Sequence, residues 1–180
     1  MSVRRSKAES PWPMRVGIGF DLHRLRRGRP FVLAGIRLPS PAGPEGHYDA
    51  DPLAHAVVDA LLGAAALGDI GEHFPDTDPR WKGTLGAEFL ERTRALLARH
   101  GWQPCQVDAT VFCERPKLGQ HKRRIAGALA RALGIPESDM SLKAKTMEGL
   151  GPIGSGKAVA AQAVATLTRL PRRASRRRSG

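Results

Sequence analysis

Residues 51–68 read DPLAHAVVDALLGAAALG. The stretch opens as helices open. Asp51 is an N-cap type whose carboxylate can accept from free backbone N–H groups, and Pro52 suits the first helical position. From Leu53 to Leu67 only His55 and Asp59 interrupt the apolar run, and Gly68 supplies a stop. A helix apolar on nearly every side is buried. The stretch therefore predicts a buried helix ending near Gly68.

Outward from that helix, strands and helices alternate. Upstream, Arg15–Phe20 and Phe31–Leu38 are strand candidates, the second broken at Gly35, and the Pro- and Gly-rich residues 39–51 form a loop. Downstream, residues 69–83 form a long acidic loop, a length that is usually either functional or disordered. Residues 86–100 form an amphipathic helix with Phe89, Leu90, Leu96 and Leu97 inward, closed by Gly101. Val107–Phe112 and Met140–Thr146 are strands, and residues 122–133 are a helix with a basic outer face. Residues 114–121 and 149–156 are loops, and Val159–Leu167 is ambiguous between strand and helix. The alternation predicts an α/β (α+β) layered sandwich.

The chain has 180 residues and a net charge of +12. Residues 169–180 carry six Arg and no acid, and residues 1–13 add +2, so the segment 14–168 keeps only +4. Basicity concentrated in the ends argues against nucleic acid as the partner of the folded part. The ends predict a disordered extension over 1–13 and a basic disordered tail over 169–180, flanking one domain at 14–168. No run reaches the ~18 apolar residues of a membrane helix, and residues 1–14 lack the apolar core of a signal peptide. Two cysteines, Cys105 and Cys113, cannot build a disulfide scaffold. A cytoplasmic location is the expectation.

Four clusters can carry chemistry. Asp21-x-His23 puts a carboxylate and an imidazole on one side of a strand end, half of a zinc site. Alone, such a pair reads equally as local hydrogen bonding. Residues 47–59, HYDADPLAHAVVD, add two His and three Asp: His47, Asp49 and Asp51 precede the helix, and His55 and Asp59 share a helix face. One of these histidines would complete a three-ligand zinc site with an open fourth position. The third cluster is Asp69, Gly71, Phe74, Asp76 and Asp78, where carboxylates can accept from sugar hydroxyls or simply cap turns. The fourth is Lys143-Ala-Lys145-Thr146-Met-Glu148, where Lys and Thr can hold phosphate and Glu can hold Mg²⁺. The glycines of 149–156 match neither a Walker A loop nor a dinucleotide fingerprint. Together these point to a metal-assisted enzyme acting on a phosphorylated, hydroxylated small molecule.

Four segments, in order, resemble the 2-C-methyl-D-erythritol 2,4-cyclodiphosphate synthase family of the non-mevalonate isoprenoid pathway. They are RVGIGFDLH (15–23), GHYDADPLAHAVVDALLGAAALGDIGEHFPDTDPRWKG (46–83), ERPKL (114–118) and KTMEGLGPIG (145–154). The resemblance implies a mixed four-stranded sheet with helices on one face, and a homotrimer whose sheets face the threefold axis with active sites between subunits. It implies a phosphorus-oxygen lyase that converts 4-diphosphocytidyl-2-C-methyl-D-erythritol 2-phosphate to the 2,4-cyclodiphosphate and CMP. It assigns Asp21, His23 and His55 as zinc ligands, and Glu148 to a second cation, Mg²⁺ or Mn²⁺. His47 and Thr146 become transition-state contacts. Asp69, Gly71 and Asp76 bind hydroxyls, and Cys113, Pro116, Lys117 and Leu118 hold cytosine. Tyr48, Phe74, Asp78 and Lys145 complete the expected substrate-contacting set.

The chain departs from the family pattern at three places. Tyr48 stands where serine is usual, and Lys145 where a small hydroxyl residue is common. Ser155 and Lys157 stand where Arg and Glu usually follow the Gly-rich loop, in a region the family uses to bind isoprenoid diphosphates in a central cavity. The rival readings are a zinc-dependent phosphatase, in which water attacks, and a nucleic-acid-binding module.

Overall fold

A computed structural model describes residues 13–46, 50–81 and 83–171 of the chain. Strand β1 (Met14–Arg27) is followed by a small hairpin, β2 (Phe31–Leu33) and β3 (Ile36–Leu38), and by a short strand, β4 (Ala42–Pro44). Helix α1 (Pro52–Ala65) and a single turn, α2 (Ile70–His73), precede α3 (Gly86–Arg99) and strand β5 (Trp102–Phe112). Then come α4 (Lys122–Leu133), β6 (Met140–Lys145), one turn α5 (Gly151–Gly154) and β7 (Ala158–Arg169).

Among the described residues, the main sheet has five strands in the order β4-β1-β7-β5-β6, and only the β5–β6 pair is parallel. That is one strand more than the expected four: β4 joins β1, β5, β6 and β7, while the expected strand Phe31–Leu38 folds back as the separate β2–β3 hairpin. The fifth is β4, three residues from the expected 39–51 loop that pair with Leu25–Arg27. Proline content hides such a strand, because an edge position asks few N–H groups of it. β1 also runs on past His23 to Arg27, so Asp21 and His23 lie within a strand rather than at its end. The ambiguous segment near 159–167 is the central strand β7, hydrogen-bonded on both sides. Of the ends expected to be disordered, 1–13 and 169–180, residues 1–12 and 172–180 lie outside the described residues, as does the segment 47–49, whereas Arg169 is the last residue of β7. Among the described residues, no helix is long and apolar enough to cross a membrane.

Helix α1 packs on one face of the sheet against β1 and β7. Gly17 and Gly19 face it, and the helix presents Ala56, Ala60 and Ala64, so the two backbones come close. The opposite face of β1 carries Met14, Val16, Ile18, Phe20 and Leu22, each 45–64% exposed.

Asp51 organises the start of α1. Its Oδ1 accepts from the N–H groups of Leu53 (3.0 Å) and Ala54 (3.1 Å), and its Oδ2 accepts from the N–H of Ala34 in the β2–β3 turn. The carboxylate is fully buried, so it both caps the helix and pins the hairpin to it. Asp51→Ala removes a cap and leaves a buried donor without its acceptor, an expected cost of about 3 kcal/mol. A thermal melt checks this, and a transition within about 1 °C of wild type would show that the cap carries no stability.

Candidate metal centre and substrate cavity

Strand alternation puts Asp21 and His23 on the helix-facing side of β1, the side of Gly17 and Gly19. The first turn of α1 lies across this side and carries His55. Three side-chain atoms converge there. Asp21 Oδ2 is 2.9 Å from His23 Nε2 and 3.0 Å from His55 Nδ1, and the two ring nitrogens are 3.4 Å apart.

The donor set suits a cation. The Nδ1–H of His23 donates to the main-chain carbonyl of Glu45 at 2.9 Å, which turns the Nε2 lone pair toward Asp21 and His55. Three acceptor atoms can share one point only around positive charge, as protons on the rings or as a metal ion. Ligands about 2.0–2.1 Å from a tetrahedral zinc are about 3.3 Å apart, close to the separations seen. Burial pushes the Asp21 carboxyl upward, but hydrogen bonds from both histidines and their charge carry it well below the usual range. Burial pulls His23 down, and its contact with the Asp21 carboxylate outweighs this and raises it. The cluster sets the Asp21 carboxylate against two imidazole nitrogens, a donor set that suits a divalent cation.

A cavity of about 600 Å³ opens over the triad. Glu45, Gly46, Asp59, Ile70, Gly71, Phe74, Pro75 and Asp76 complete its lining. Of the expected acidic loop, Gly71, Phe74 and Asp76 therefore line the cavity beside the triad. Asp69 precedes this wall, where its Oδ1 caps the α2 turn by accepting from the Glu72 N–H at 3.0 Å, and Asp78 forms an ion pair with Arg80 at 2.6 Å. Asp59 is not with the ligand atoms. Its Oδ1 accepts from the Ile70 N–H at 2.8 Å and so holds the loop at the cavity wall, while burial raises its carboxyl. His47, Tyr48 and Asp49 lie outside the described residues.

The remaining predicted residues form a second cluster where the parallel strands β5 and β6 end. The Cys113 N–H donates to the Lys145 carbonyl at 2.9 Å, and the Met147 N–H to Glu114 at 3.2 Å. The Thr146 hydroxyl donates to Glu148 at 2.9 Å, which orients that carboxylate. Lys117 stands 4.0 Å from Glu114. Pro116 and Lys117 line a separate cavity with Pro39–Pro41, and Leu118 is buried. Burial pushes the Cys113 thiol up to about 11, and its Sγ donates to the Arg115 carbonyl at 2.8 Å, so it is no activated nucleophile. Among the described residues lining the cavity over the triad, none comes from 113–118 or 145–148. Among the described residues, the triad and the 113–118/145–148 cluster thus stand apart within one chain. Ser155 donates to the Pro152 carbonyl at 3.2 Å, and Lys157 lines a third cavity with Leu22, Arg24 and Arg26.

Glu45 and Gly46 are participants that sequence reading missed. They act through a main-chain carbonyl and a lack of bulk, which no side-chain type announces.

The model of the YgbB family matches residues 14–168. A 2-C-methyl-D-erythritol 2,4-cyclodiphosphate synthase from Desulfosudis oleivorans is 51% identical over 163 residues, 91% of this chain and 97% of that protein. A solved structure of a synthase of the same name, in a CDP-bound form, superposes with a TM-score of 0.79 at 42% identity, covering 85% of this chain and 99% of that one. The bifunctional IspDF of Campylobacter jejuni superposes at 0.83 with 36% identity, covering 87% of this chain but only 42% of that longer protein. Identity of that order across nearly the whole length, over a fold that carries the convergent Asp-His-His cluster, means that this chain belongs to the YgbB family, that of the 2-C-methyl-D-erythritol 2,4-cyclodiphosphate synthases.

Proposed function

We propose that the chain converts 4-diphosphocytidyl-2-C-methyl-D-erythritol 2-phosphate to 2-C-methyl-D-erythritol 2,4-cyclodiphosphate and CMP. The observation that carries this reading is the Asp21–His23–His55 triad on the floor of a cavity walled by Gly71, Phe74 and Asp76. An oxygen of the 2-phosphate forms a bond to the β-phosphorus, and the bond from that phosphorus to the bridging oxygen breaks, releasing CMP. No proton has to be abstracted from a hydroxyl, so the protein has only to position the two phosphates and offset their charge.

The residues divide this work. Asp21, His23 and His55 hold one divalent ion, zinc in our reading, which when bound polarises a phosphate oxygen. Thr146 and His47 contact the phosphates. Glu148, oriented by Thr146, holds a second ion, Mg²⁺ or Mn²⁺. Asp76, Gly71 and Asp69 serve the hydroxyls of the sugar and of the erythritol. Main-chain groups of 113–118 take the cytosine, and the CDP-bound form of the related synthase supports a nucleotide ligand for this chain.

A second copy of the chain completes the site. Phosphate and cytosine contacts lie in one cluster and the triad in another, so a substrate touching both sits between neighbouring subunits. The apolar side of β1 supplies the surface that copies would share. We propose a homotrimer with sheets facing its axis.

Incubation of the diphosphocytidyl substrate with zinc- and magnesium-loaded protein, followed by phosphorus NMR, tests the reaction. The expected products are the cyclic diphosphate and CMP. If water attacked the β-phosphorus instead, CMP would accompany the open-chain 2,4-bisphosphate, whose two phosphomonoester signals lack the P–O–P coupling of the cyclic product, and the cyclase reading would fail.

A further inference from the structure

Aromatic rings run in series from the surface to the triad. Trp81 meets Phe74 edge-on, with centroids 5.1 Å apart and planes at 89°. Phe74 meets Phe89 at 5.0 Å, and Phe89 meets the His55 imidazole at 6.0 Å with planes at 71°. On the outside, the Arg92 guanidinium lies 5.0 Å over the Trp81 ring.

Helical periodicity accounts for Phe89 as a core residue, and it is completely buried. Yet the rings it touches serve the cavity: Phe74 forms part of the wall and His55 part of the triad. The imidazole Nδ1 meets Asp21 at 3.0 Å. A rigid aromatic neighbour meeting the ring edge-on helps to fix the plane of that ring, and such pairs are worth more than their contact area alone. Partners that orient a metal-binding imidazole act on metal affinity even though they never touch the ion.

We propose that Phe89 is a positioning residue for His55, and that the Phe74–Trp81 pair locks the cavity-facing loop 70–76 to the same ring. This rests on the metal-site reading given under Proposed function. Loop and ligand then share one aromatic keystone, so the wall that meets the substrate and the nitrogen that meets the ion keep a set distance.

Zinc affinity, measured by chelator competition on the full chain, separates positioning from packing. Phe89→Leu keeps an apolar filler but loses the ring, and its zinc affinity is expected to fall about tenfold. Leu97→Ala, a fully buried site two turns along α3, is expected to lower the melting temperature and leave zinc affinity unchanged. Trp81→Leu is expected to raise KM with zinc affinity unchanged. Wild-type affinity in Phe89→Leu overturns the proposal, and so does an equal loss in Leu97→Ala, which would make the effect one of general stability. An unchanged KM in Trp81→Leu overturns the role of the loop. His55→Ala is the reference: if it keeps its zinc, the metal-site reading itself fails, whereas loss there with no loss in Phe89→Leu sinks only the positioning role.

Discussion

His55→Ala is expected to lose its divalent ion and its turnover together. With the imidazole gone, Asp21 and His23 remain as two ligands on one strand, and two ligands from a single strand do not close a tetrahedral site. Polarisation of a phosphate by a metal ion supplies several kcal/mol of transition-state stabilisation, so kcat/KM should fall by about 10³-fold or more. The loss should not reflect unfolding. The helix is capped by Asp51, four residues earlier, and its apolar neighbours do not depend on the imidazole. His55→Gln, which fills more of the same space, separates the two effects: it should melt closer to wild type than the alanine variant and still lack the ion. Metal content per chain, activity and melting temperature together check the prediction. Full zinc occupancy in either variant would remove His55 from the ligand set.

Gly19→Val is expected to damage fold and site at once. A Cβ at Gly19 would stand 2.0 Å from the main-chain oxygen of Ala56 and 2.7 Å from the nitrogen of Ala60. One at Gly17 would stand 2.1 Å from the oxygen of Ala60. These neighbours are backbone atoms, so no side-chain rotation relieves the clash and α1 must lift away from β1. Overpacking of that kind costs about 3 kcal/mol or more, a loss of about 10 °C in melting temperature for a chain of this size. The lift also carries His55, next to Ala56, away from Asp21 and His23. Zinc affinity should therefore fall even in the fraction that stays folded. Gly63→Ala is the contrast: its nearest neighbour, the oxygen of Ile18, would be 4.0 Å away, and alanine suits a helix interior better than glycine by about 0.5–1 kcal/mol. A thermal melt and a zinc titration on the two variants check both signs. If Gly19→Val melts with wild type, the close approach of β1 and α1 is not what sets the site.

The local grammar of this chain is readable from residue order alone. Asp51-Pro52 predicts a helix start, and the carboxylate does cap it. Of the expected inward residues of α3, Phe89, Leu90 and Leu97 are buried as their spacing requires, and Leu96 is half-buried against the same core. Where a local rule has no strong signal, the reading stops. AVAAQAVATLTR, the sequence of β7, is small and apolar at almost every position, so neither a period of 2 nor one of 3.6 stands out. It is a strand because β1 and β5 both offer it hydrogen-bonding edges.

The site divides along the same line. Residue types and spacing mark Asp21, His23, Asp51, His55 and Asp59 as chemistry-bearing, and cannot rank them. Tertiary structure sorts them by what each oxygen or nitrogen meets: Asp51 meets the N–H groups of its own helix and of Ala34, Asp59 meets Ile70, and His55 meets Asp21. The likeness to the synthase family is legible because its segments are long and keep their order. That the triad and the Thr146–Glu148 cluster stand apart within one chain is not, because nothing in residue order encodes how far apart strand ends lie. By itself the sequence determined where helices begin, which faces are apolar and which side chains bear charge, since those depend on neighbours a few residues away. Only the tertiary structure decided which charged groups meet, since that depends on two backbones closing over Gly17 and Gly19 to bring α1 onto β1.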